Sequence, residues 1–189
     1  MTQEIVLKHP ALKGGELHYK HLLGKEFKLG TNDCYDMVRR MFKDNLDIGL
    51  TNYARPKFFW HHEDMNIYVD NYPKEGFKLL NDPRPEHLRP FDCFLIAIPD
   101  PRSVHNVVTN HAAVYLGNGW VIHHRYNDTS KIEPYRGSLR NLTTHVLRHQ
   151  DVPDLRAANS GTADLMDYIL PHKRKELEEA MRNANREAE

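Results

Sequence analysis

The sequence predicts an α+β fold, and three observations carry that prediction: an amphipathic helix near the start, a hairpin signature past the middle, and short apolar runs spaced around it. With 189 residues, 40% hydrophobic and 10% aromatic, the chain can bury one core, which fits one domain plus an appendage better than two domains.

Asn32 to Phe42 reads as the helix. Met37, Val38, Met41 and Phe42 fall on one face at helical spacing, and Asn32 or Asp33 can cap the free amides, so Cys34 sits in the first turn. Residues 46–90 hold Pro56, Pro73, Pro83, Pro85 and Pro90 among aromatic clusters such as Phe58-Phe59-Trp60. They read as a long irregular excursion with room for one short helix, the kind of loop that shapes a site or contacts a partner. Phe91 to Ile98, stopped by Pro99, is a buried strand. His111 to Leu116 and Trp120 to His124, joined by Gly117-Asn118-Gly119, make an antiparallel hairpin. Lys131 to Glu133 and Thr143 to Leu147 are further strands with a helical turn near Tyr135 to Arg140 between them, giving a sheet of about five strands. From Asp151 the composition turns polar through Ala157-Ala158-Asn159-Ser160-Gly161, a linker, and Pro171 to Arg182 follows as a charged helix with few apolar residues. That helix is either a solvated terminus or a docking element in an assembly. The expected division is a domain over 1–150 and a linker with a charged C-terminal helix over 151–189.

Twenty-six basic residues balance twenty-six acidic ones, so no overall field favours nucleic acid, an anionic membrane or an acidic partner. No stretch approaches the ~18 apolar residues of a membrane span, so membrane insertion is not expected. The opening MTQEIVLKHPALKGG lacks a basic segment followed by an apolar run, which predicts synthesis in the cytoplasm without a signal peptide. Cys34 and Cys93 are too few for a disulfide framework and form no CxxC pair for zinc; one disulfide between them stays open.

A cysteine in the first helical turn meets the positive end of the helix dipole and free amides, both of which favour thiolate, and its own amide lies where an oxyanion would develop. Alone, this pattern more often marks a structural cysteine. Cysteine catalysis also needs a base and a polar group to hold that base in a useful tautomer. His111 begins one hairpin strand and His123 lies near the end of the returning one, which brings them within cross-strand reach. Whether they share a face depends on the register; otherwise each simply caps a strand end. A metal site built from His111, His123 and His124 with a carboxylate is the weaker alternative, because adjacent histidines on a strand diverge, and neither metal nor other cofactor is expected. By the same alternation His124 is expected at the surface.

These segments carry a family resemblance. Asp33-Cys34-Tyr35-Asp36-Met37-Val38 resembles the Asp-Cys-Ser-Gly-Leu-Val segment of NlpC-type cysteine peptidases, and His111-Ala112-Ala113-Val114-Tyr115-Leu116-Gly117-Asn118-Gly119-Trp120-Val121-Ile122-His123 is similar to their His-Val-Gly-Ile-Tyr-Leu-Gly-Asn-Gly-x-x-Ile-His. Arg89-Pro90-Phe91-Asp92-Cys93-Phe94-Leu95 resembles their Pro-Gly-Asp strand. The likeness runs from about residue 20 to 149 and is weakest over 46–88. It implies a papain-like α+β fold with the Cys helix packed on the antiparallel sheet, Cys34 as nucleophile, His111 as base and His123 orienting it. It also implies hydrolysis of peptide bonds in bacterial cell-wall stem peptides without a metal. Single-domain chains of this kind resemble the tail-assembly peptidases of long-tailed bacteriophages, which implies tail proteins as partners and a place in the virion tail. The alternative is an inactive structural or binding module of such a tail that keeps the fold.

The chain departs from the family at two places. Tyr35-Asp36 replaces the small pair after the nucleophile, which predicts a narrowed cleft or a raised thiol pKa. Phe27 stands where many members place a tyrosine, so a hydroxyl near the site is missing.

Overall fold

A computed structural model describes residues 4–62, 65–101 and 108–155. Asp33 opens α1 (Cys34–Leu46): its backbone is extended and its side chain accepts a hydrogen bond from the Asp36 amide at 2.9 Å, an N-cap that leaves Cys34 as the first helical residue. The excursion holds one short α-helix, α2 (Ile67–Asn71), and a three-residue strand, β1 (Phe77–Leu79). Then come β2 (Cys93–Ile96), β3 (His111–Gly117), β4 (Trp120–His123), β5 (Lys131–Pro134), α3 (Ser138–Asn141) and β6 (Thr143–His149). The expected charged helix over 171–182, and most of the linker before it, lie outside the described residues.

The strands form one sheet in the order β1-β6-β2-β3-β4-β5, every neighbouring pair antiparallel. There are six strands rather than about five. The addition is β1, whose three residues are too few to show an alternation and which pairs only with β6 at the sheet edge. The β3–β4 turn follows from its residues: Asn118 and Gly119 have φ of 52° and 78°, the left-handed pair that matches the twist of a tight hairpin.

Both faces of the sheet are covered, which is why β2 and most of β3 read as unbroken apolar runs. On one face Cys93, Leu95, Ala112 and Val114 pack with Val38, Met41 and Phe42 of α1, so the helix lies across the sheet. On the other, Phe94, Ile96, Ala113 and Tyr115 meet Leu88 and Leu139, and Tyr135 stacks on Phe94 with ring centroids 4.0 Å apart. Asp92 pins the entry to β2 by accepting from the Arg89 amide at 2.7 Å and from Arg148 Nε at 2.8 Å. Just before it, Phe91 adopts φ 71°, where the resembled segment carries glycine. The cost of that backbone for a bulky residue is offset by burial of its ring against Phe42.

Candidate active site

The first turn of α1 and the start of β3 line a common cavity of about 300 Å³. Cys34 and His111 both face it, together with Phe27, Trp60 and Tyr68. Cys34 is buried, and its Sγ lies 3.4 Å from the Tyr68 hydroxyl. No hydrogen bond joins Cys34 to His111 among the described residues. Burial and, after it, the neighbouring Asp33 carboxylate push the thiol up to about 11; the Tyr68 hydroxyl, the Ala112 amide and Arg55 oppose that shift without cancelling it. Burial therefore decides, and the resting cysteine is a thiol.

Two side chains that the sequence leaves unassigned hold this turn in place. Arg55, from the excursion, donates from Nε to Asp33 Oδ2 at 2.8 Å, an ion pair whose side chains are 0% and 1% exposed. The same carboxylate accepts from the Gly30 amide at 2.6 Å. Tyr68 comes from α2 and supplies at the sulfur a hydroxyl that Phe27 cannot. Phe27 itself lines the cavity, edge-on to His124 and Tyr126.

Tyr35 and Asp36 turn away from the cavity. The Tyr35 hydroxyl donates to the Thr51 carbonyl at 3.0 Å, and Asp36 pairs with Arg39 at 3.1 Å and Arg40 at 2.8 Å. The carboxylate that raises the thiol is thus the N-cap Asp33, not Asp36.

The register of the hairpin decides the histidine question left open by the sequence. Ala113 lies opposite His123, so His111, two residues before Ala113, shares its face with His123. His111 Nε2 and His123 Nδ1 are 2.9 Å apart, and His123 Nε2 is 3.2 Å from Glu133 Oε2 on β5. Burial, with His123 and Arg125 after it, holds the His111 imidazole well below its usual range. Burial likewise lowers His123 to about 4, although the Glu133 carboxylate works in the opposite direction. Both rings are neutral at pH 7.

His124 corrects the expectation of a surface residue. β4 ends at His123, so strand alternation no longer governs His124, and its side chain is buried at the cavity wall with Nε2 3.1 Å from the Asp128 carbonyl. Among the described residues, no group of three or more His, Cys, Asp or Glu side chains is placed to hold a metal ion. Cys34 and Cys93 are both free thiols.

The neutral, buried histidines make folding sensitive to acid. Their folded pKa values lie below that of an ordinary histidine, near 6.5, so between the two values the unfolded chain binds protons that the folded chain refuses. Their contribution is complete above about pH 6.5 and is lost as the pH falls below it, for His123 toward 4. The melting temperature is expected to fall between pH 7 and 5, and less steeply in His123→Asn, measured by calorimetry. Equal slopes would contradict a buried neutral His123.

No family model matches the chain. Over 132 residues it is 29% identical to the tail tip assembly protein K of Escherichia phage lambda, an alignment covering 69% of this chain and 60% of that protein. It is 27% identical over 132 residues to the tail tip assembly protein K of Escherichia phage N15, covering 69% of this chain and 50% of that one. The chain thus spans about half to three-fifths of the length of these curated relatives. Among solved structures, NlpC2 from Trichomonas vaginalis matches 69% of this chain and 42% of its own with a TM-score of 0.45 and 17% identity. NlpC1 from the same organism matches 69% of this chain and 40% of its own, with a TM-score of 0.44 and 19% identity.

Proposed function

We propose that this chain is a cysteine peptidase that hydrolyses peptide bonds in bacterial cell-wall stem peptides as a component of a bacteriophage tail. The observation that carries the reading is the shared cavity: a helix-opening cysteine and a buried histidine face one space, and a second histidine braces the first from behind. The NlpC-type residue pattern supports the substrate class, and the likeness to two tail tip assembly proteins supports a place among tail proteins. Residues 1–150 form the peptidase unit, and 151–189 together with the proline-rich excursion supply contacts to neighbouring tail proteins.

Cys34 is the nucleophile, His111 the base and His123 the residue that orients it. The Cys34 sulfur attacks the peptide carbonyl carbon while its proton passes to His111. The oxyanion forms near the Cys34 backbone amide, and collapse of the adduct breaks the C–N bond as His111 protonates the leaving nitrogen. A water molecule then attacks the thioester, with His111 accepting its proton and returning one to the sulfur. A thiol at about 11 is only about one part in 10⁴ ionised at pH 7. Proton transfer therefore accompanies attack, in place of a standing thiolate–imidazolium pair.

The raised thiol makes a direct prediction. Alkylation of Cys34 by iodoacetamide, followed by peptide mass mapping in a Cys93→Ala background, rises about tenfold per pH unit from 7 to 10 without a plateau. A plateau below pH 8 would mean that the thiolate is already stabilised in the free chain.

The functional test is release of new amino groups from purified peptidoglycan of both common stem types, with products identified by mass. Release by wild type that disappears in Cys34→Ala supports the peptidase. The buried thiol and its hydrogen bond to Tyr68 favour a second reading, an inactive structural or binding module of a tail; no release from either wall type by the folded wild-type chain would support it.

A further inference from the structure

The two histidines do not end the hydrogen-bonded row. His123 Nε2 faces Glu133 Oε2 at 3.2 Å, and Glu133 is itself held by Lys131 Nζ on Oε1 at 3.2 Å and by Arg125 on Oε2 at 3.4 Å. Burial disfavours its charge, but His123, Lys131 and Arg125 outweigh that and keep the carboxyl below its ordinary range. A carboxylate only accepts hydrogen bonds. His123 must therefore donate from Nε2, which leaves its Nδ1 bare in the neutral ring. A bare Nδ1 accepts, so His111 donates to it from Nε2 across the 2.9 Å contact. His111 in turn is left with a lone pair on Nδ1, which makes no hydrogen bond among the described residues.

We propose that Glu133 is a positioning residue that fixes the tautomers of His123 and His111 in sequence, so that Nδ1 of His111 is the nitrogen free to take a proton from Cys34. The assignment of that acceptor role rests on the peptidase reading; the order of tautomers does not. Glu133 reaches the row because Val121 of β4 pairs with Glu133 of β5, which puts Glu133 on the same sheet face as His123. Lys131, directly opposite His123, shares that face and holds the outer carboxylate oxygen.

The test is nitrogen-15 NMR of the imidazoles at pH 7 in the full chain, with His111→Asn and His123→Asn for assignment, beside peptide hydrolysis in Glu133→Ala and Glu133→Gln. In wild type both rings are expected to carry their proton on Nε2. In Glu133→Ala the His111 signals move toward a mixture of tautomers and hydrolysis falls about ten- to hundredfold, while Glu133→Gln, whose amide oxygen can still accept, retains most of both. A wild-type His111 protonated on Nδ1, or tautomers unchanged in Glu133→Ala, would overturn the proposal. Should a variant fail to fold, the wild-type spectrum still decides. The predicted tautomers in a chain that cleaves no wall would leave the row standing and remove the peptidase reading.

Discussion

Alanine at Cys34 or at His111 is expected to lower the proposed wall-peptide hydrolysis by about four orders of magnitude or more, to a small residual rate, because a nucleophile and its base act as one unit and each is nearly useless without the other. His123→Ala is expected to fall less, by about 10²-fold, since it removes the brace and leaves the proposed base in the cavity. The ordering is more informative than any single value. The double variant Cys34→Ala/His111→Ala is expected to lose little beyond Cys34→Ala alone, measured as initial rates on one defined stem peptide. Losses that simply add would mean that His111 acts independently of Cys34 and would contradict the pairing.

Replacing Arg55 with methionine destabilises the fold by about 3–5 kcal/mol, because it strands the Asp33 carboxylate with its charge buried and unpaired. For a chain of this size the melting temperature drops by roughly 10 °C. The Gly30 and Asp36 amides still bind Asp33, so the cap survives in part, and Asp33→Asn introduced beside Arg55→Met recovers a substantial share of the loss. Urea unfolding of the two single variants and the double variant measures the coupling. Independent, additive effects would show that the pair contributes little. The ion pair also ties the excursion to the turn that presents Cys34, so Arg55→Met is expected to slow the proposed hydrolysis even where the chain remains folded.

The parts of this site that could be read from the sequence are those set by local rules. Capping by Asp33 and the spacing of Met37, Val38, Met41 and Phe42 placed Cys34 in the first helical turn, where it is found. Gly117-Asn118-Gly119 demanded a tight turn, and the turn brought His111 and His123 within cross-strand reach on one face. What could not be read depends on distant pairing. Tyr68 reaches Cys34 from 34 residues away through a five-residue helix, and Arg55 reaches Asp33 from an irregular stretch with no periodicity to aim it. Glu133 lies on a strand that was expected, but only the β4–β5 register turns its side chain toward His123. The depressed titration of both histidines and the raised thiol likewise arise from burial that two covered sheet faces create, not from neighbours in sequence. His124 shows the reverse: strand alternation applied one residue past the end of β4 put a buried side chain at the surface.

The proposed chemistry turns on a covalent bond to Cys34, and the most direct measurement is the intact mass of the protein quenched in acid during turnover of a defined stem peptide. A transient increase equal to the acyl half of the substrate, mapped to the peptide containing Cys34 and absent from Cys34→Ala, is the expected result. Hydrolysis that proceeds without such an adduct and survives Cys34→Ala would contradict the assignment of Cys34 as the nucleophile.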